Sequence, residues 1–154
     1  NKPEMSTGEV LKAARRMKAY QLLSKNQLVA AMAAARQALD AHPNDVATMY
    51  CAAKVLFKSG RKDDAFSLLK KSLALVPRNR ELRLEYASML AESGKTDEAI
   101  AQYRLILKQA PKLWTARMEI AQLYLGTERP MEAAAELRGL LDQDPHNAVA
   151  HKIC

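Results

Sequence analysis

Apolar residues along this chain return at the three-and-four spacing of amphipathic helices. Between Arg80 and Leu113, Leu82, Tyr86, Ala87, Met89 and Leu90 share one helical face, and Ala99, Ile100, Tyr103, Ile106 and Leu107 share another. Two short helices facing one another are predicted, with the break at Gly94, whose freedom of backbone suits a helix end. Thr96 is placed to cap the second helix, and Asp97 and Glu98 fall in its first turn, where carboxylates suit the positive end of the dipole. Pro111 cannot continue a helix and closes the unit.

The unit returns every 34 residues, marked by Pro43, Pro77, Pro111 and Pro145. Two alanine series keep the same register, Ala19, Ala53, Ala87 and Ala121 in the first helices and Ala31, Ala65, Ala99 and Ala133 in the second. Leu39, Leu73, Leu107 and Leu141 form a further series in phase. Each marks a place where helices pack too closely for a large side chain, or where one apolar side chain plugs the next unit.

The first helix is predicted over residues 8–24, with Ser6 and Glu9 as a capping box and Val10 and Leu11 covering the end of the stack. The second is predicted over residues 27–41, stopped by His42 and Pro43. Asn44, Asn79 and Asn147 stand where caps are wanted before the next first helices, and Thr127 and Pro130 serve the last turn. Connections of a few residues force successive helices to pack antiparallel, and no segment reads as a strand.

A helix-turn-helix of 34 residues with a small residue, an alanine and a proline in these places resembles the tetratricopeptide repeat (TPR). The resemblance covers residues 12–45, 46–79, 80–113 and 114–147. Residues 1–11 extend the first helix, and residues 148–154 begin a fifth repeat or a capping helix. It implies an all-α, right-handed superhelical solenoid of antiparallel helix pairs. The family's early tryptophan is replaced by Arg15, Met49, Arg83 and Arg117, its late aromatic survives only as Tyr103, and its turn glycine only as Gly60 and Gly94.

The charge of +7 is unevenly spread. The four repeats carry +4, +5, +1 and −3, with −1 on residues 1–11 and +1 on residues 148–154, so the first half is basic and the last repeat acidic. Such a gradient can steer a partner of opposite polarity or stack copies head to tail. A membrane span needs ~20 apolar residues, and the longest uncharged stretch, residues 26–35, is far shorter and contains Asn and Gln. Direct membrane insertion by this segment is therefore not expected. The chain opens at Asn1 rather than Met and ends at Cys154 inside an expected helix, so it reads as part of a longer protein. Cys51 and Cys154 lie in different repeats, too far apart to bridge.

No catalytic constellation is visible. His42, His146 and His151 fall in loops or near the chain end, His151 and Cys154 supply only two ligands of one helix face, and there is no phosphate-binding Gly-rich loop. No metal, no cofactor and no enzyme activity are expected. Partner binding is expected instead. The resemblance implies a concave groove lined by the first helices, which places Arg16, Tyr20, Leu23, Tyr50, Lys54, Phe57, Lys58, Leu84, Ser88, Glu92, Met118, Gln122 and Leu125 on that face. Such a floor suits a protein or peptide segment of another component, with apolar anchors between Tyr50, Phe57, Leu84 and Met118. A carboxylate clamp for an acidic chaperone tail is not expected, because Arg16, Tyr20, Cys51, Glu81 and Glu85 stand in its places and the glutamates repel such a tail.

The implied function is a non-catalytic interaction module that scaffolds or chaperones a larger assembly, by analogy with bacterial envelope, secretion or polysaccharide-export machinery in the periplasm or cytoplasm. The alternative is a self-assembling, homo-oligomeric array. An RNA-binding helical-repeat protein is disfavoured, because the basic residues do not recur at one place in every repeat as a continuous phosphate-tracking surface requires.

Overall fold

The computed structural model describes residues 3–153, which form nine helices and no strand among the described residues. They are α1 (Thr7–Ser24), α2 (Leu28–Ala41), α3 (Val46–Lys58), α4 (Lys62–Leu75), α5 (Arg80–Glu92), α6 (Thr96–Gln109), α7 (Trp114–Gly126), α8 (Pro130–Gln143) and α9 (Ala148–Ile153). Odd-numbered helices α1 to α7 are the first helices of the repeats and even-numbered ones the second. No helix among the described residues is long and apolar enough to cross a membrane.

The chain divides into two compact units, Asn1–Asn79 and Arg80–Cys154. In unit 1, hairpins α1/α2 and α3/α4 pack so that α3 rests on both α1 and α2. In unit 2, hairpins α5/α6 and α7/α8 join chiefly through α6 and α7, and α9 leans on α8. Both alanine series are buried to 1% exposure or less, which is what lets the helix backbones approach. Leu73 is buried, whereas Leu39, Leu107 and Leu141 are half-buried.

Four hairpin turns share one backbone device. Asn26, Gly60, Gly94 and Glu128 all have positive φ, at 56°, 83°, 75° and 57°. The left-handed residue that ends each first helix therefore recurs at the repeat period even where glycine does not. Behind it, Arg61, Lys95 and Arg129 occupy the N-cap positions of α4, α6 and α8 and reach the carboxylate three residues on, in Asp64, Glu98 and Glu132.

Several expected caps are placed differently. Ser6 does cap α1, accepting from the Glu9 amide at 3.3 Å. The cap of α3 is Asp45, not Asn44, because Asp45 reaches the Thr48 amide at 3.0 Å. Asn79 and Asn147 stand immediately before α5 and α9. Thr96 is the first residue of α6 rather than its cap, and Lys95 precedes it without a side-chain cap bond. Thr127 closes α7, donating to the carbonyls of Leu123 and Tyr124, and Pro130 opens α8 where its missing N–H costs nothing. Val10 and Leu11 remain about half exposed, so they cover the start of the stack only in part.

Candidate functional site

The first helices of unit 2 form a cleft of about 250 Å³ between α5 and α7. Leu84, Glu85 and Ser88 line it from α5, Thr115, Ala116 and Glu119 from α7, and Tyr103 of α6 reaches between them. Tyr103 is nearly buried, and burial, helped by the charges of Glu119 and Glu85, pushes its phenol up to about 12. It therefore stays a neutral hydroxyl beneath two exposed carboxylates. In unit 1 the matching residue is the buried Ala35, and there α1 and α3 meet directly. The late aromatic thus acts as a wedge that keeps α5 and α7 apart.

The corresponding face of unit 1 is tighter and basic. Arg16 spans from α1 to Asp45 at 3.2 Å, and Lys12 approaches the same carboxylate at 3.8 Å. Burial opposes ionisation of Asp45, but the Thr48 hydroxyl and amide and the two cations outweigh it and hold its pKa below the usual carboxylate range. Tyr20 is half-buried against Cys51, and burial, then the Cys51 sulfur, raises its phenol pKa. Cys51 is 1% exposed, its thiol pushed up by burial and 3.8 Å from the Arg16 carbonyl. It is a packing residue and an unreactive one. Beside it, Lys54 lies 5.8 Å from the centre of the Tyr50 ring.

Of the thirteen residues expected on the groove face, Arg16, Tyr20, Leu23, Tyr50, Lys54 and Leu84 are half-buried, and Lys58, Ser88, Glu92, Gln122 and Leu125 are exposed. Phe57 and Met118 are each 5% exposed and belong to the packing instead. Phe57 stacks obliquely on Phe66 of α4 at 6.1 Å between ring centres. The expected stripe left out Thr115, which continues it one turn before Met118, and Glu119, one residue to its side, while Glu85 entered only as a glutamate repelling an acidic tail. The late aromatic, which survives only as Tyr103, was the available signal.

Sequence reading also missed an ionic cluster built on a buried carboxylate. Glu136 of α8, only 7% exposed, accepts from Arg104 of α6 at 2.7 Å and from Arg117 of α7 at 3.4 Å. Arg104 also donates to the Tyr124 hydroxyl at 3.2 Å, and this bond, with the Glu136 charge, raises its pKa against the cost of burial. Glu136 falls in phase with Ala133, Leu137 and Leu140, a carboxylate on an apolar face. Elsewhere, His42 accepts from Arg15 at 2.8 Å and His151 faces the Pro145 carbonyl at 2.8 Å. No group of three or more His, Cys, Asp or Glu able to hold a metal occurs among the described residues. Cys154 lies outside them.

The tetratricopeptide-repeat model matches residues 56–115 and, overlapping, residues 90–154. The chain belongs to the tetratricopeptide-repeat family. Among curated proteins none matches it. Solved TPR structures resemble it at low identity and so speak to the fold. YrrB, described as a TPR protein with an unusual peptide-binding site, is 22% identical with a TM-score of 0.70 over 92% of this chain and 73% of its own. MamA from Desulfovibrio magneticus is 18% identical, TM-score 0.69, over 91% and 79%. A TPR protein from Parabacteroides merdae is 20% identical, TM-score 0.72, over 90% and 56%. Membership of the tetratricopeptide-repeat family supports a protein-interaction module of the all-α repeat class.

Proposed function

We propose that this TPR chain is a non-catalytic scaffold that holds a segment of a partner protein against its first helices. The observation that carries the reading is the α5/α7 cleft, where a neutral phenol and Leu84 form an apolar floor beneath Glu85 and Glu119. Such a site takes an apolar side chain flanked by a lysine or arginine, with the carboxylates supplying charge-assisted hydrogen bonds. YrrB's peptide-binding site supports the general mode by analogy of fold. A place in an assembly of the bacterial envelope, secretion or polysaccharide export remains part of this proposal.

The test is capture of partners from the native organism's lysate, comparing the wild-type chain with Glu85→Lys combined with Glu119→Lys. Both residues are exposed, so the variant keeps its melting temperature. Retention of one defined protein by the wild type and its loss from the variant is the expected result. Equal retention by both chains overturns the reading.

A further inference from the structure

The two units differ at one structurally equivalent place outside the first-helix face. In unit 2, Tyr124 of α7, Arg104 of α6 and Glu136 of α8 meet, the arginine bonding both the phenol and the carboxylate. Tyr124 and Ile120 beneath it are buried. One unit earlier, 68 residues back in register, the same positions hold Leu56, Arg36, Leu68 and Ala52. The arginine is kept, while the tyrosine, the carboxylate and the isoleucine are all replaced by smaller or uncharged residues.

The result is an open cleft of about 510 Å³ where α2, α3 and the start of α4 converge, of the size that holds small ligands and peptide side chains. Met32, Leu39, Val55 and Leu56 form its apolar walls, Arg36 stands at it, and Arg61 beside it is already paired with Asp64 at 2.6 Å. Arg36 is exposed on α2. Leu68, in the place of Glu136, packs toward the unit 1 core.

We propose that this cleft is a second binding site, which takes from a partner what Tyr124 and Glu136 supply internally in unit 2: an aromatic side chain adjacent to a carboxylate. The occupant is a protein segment carrying Tyr or Phe beside Asp or Glu. The ring fills the space above Ala52 and the carboxylate pairs with Arg36, in a unit whose repeats carry +4 and +5. Arginine suits the role because its planar fork pairs with a carboxylate while its stem stays on apolar surface. The site is distinct from the first-helix face, and its existence does not depend on the groove reading.

The test is an NMR titration of the full chain with acetyl-Ala-Tyr-Glu-Ala-amide, with the Gln-for-Glu and Ala-for-Tyr peptides as controls. Expected are saturable shifts at Met32, Arg36, Leu39 and Leu56, with a Kd of about 1 mM or tighter. The Gln peptide and the Arg36→Gln variant each weaken binding about tenfold. Arg36 is exposed, so that variant folds. Leu56→Tyr rebuilds the unit 2 filling and abolishes binding with an unchanged or raised melting temperature. Absence of saturable shifts overturns the proposal, as do equal affinity for the Tyr-Glu and Tyr-Gln peptides and shifts confined to Tyr20, Tyr50 and Lys54.

Discussion

The left-handed turn position shows how one residue can be set by backbone geometry. Gly60 and Gly94 meet it without a side chain, Asn26 is among the residues that tolerate it, and Glu128 does neither. Relief of left-handed strain, about 1–2 kcal/mol, exceeds the added chain entropy of glycine, about 0.5–1 kcal/mol. Glu128→Gly should therefore raise stability by roughly 0.5–1 kcal/mol in denaturant unfolding. Gly94→Ala should lower it by about 1 kcal/mol although nothing lies within 4 Å of the new Cβ, since the cost is in φ and not in space. Asp45 gives a residue-scale prediction in pH. Its folded pKa is depressed, so its contribution is full above the unfolded value of about 4 and is lost as pH falls through the lower folded value. Asp45→Ala should cost about 1 kcal/mol at neutral pH, and the stabilities of variant and wild type should converge below about pH 4.

Within the hairpins, the replaced tryptophan of the family becomes intelligible. Arg15 donates to His42, Arg83 to Gln102 at 2.8 Å, and Arg117 to Glu136, so three repeats pin the first helix to its hairpin partner region by a polar bond. The second repeat has Met49 and Leu68 in the places of Arg117 and Glu136, an apolar version of the same pair. Glu136→Ala should cost about 2–3 kcal/mol, because it leaves Arg117 partly buried without its carboxylate. Arg117→Met with Glu136→Leu should recover most of that loss in chemical denaturation. A double variant no more stable than Glu136→Ala would show that the unit needs the charge pair itself. Helices, turns and the alanine seams were legible in the sequence because each repeats four times at one period. The Glu136 cluster was not, since a carboxylate on an apolar face is recognised only once the arginines of two other helices are seen to converge on it.

At the scale of the whole molecule, membership of the repeat family and the all-α class follow from the period, and the structure adds what differs between repeats. The groove residues were legible as a stripe but not as a site. Phe57 and Met118 lie on the stripe yet are consumed by packing, whereas Glu85 and Glu119 lie beside it and line the cleft. Which first helices separate depends on one side chain of the intervening helix, Tyr103 in unit 2 and Ala35 in unit 1, and no periodic pattern reports that. Unit 1 is basic throughout its repeats, while the unit 2 cleft carries two carboxylates, so a partner segment held there should be basic beside its apolar anchor. The most direct measurement is amide hydrogen exchange of the chain with and without the captured partner. The account predicts new protection in residues 84–88 and 115–119, on the walls of the α5/α7 cleft. Protection confined to the second helices α4, α6 and α8 would contradict it.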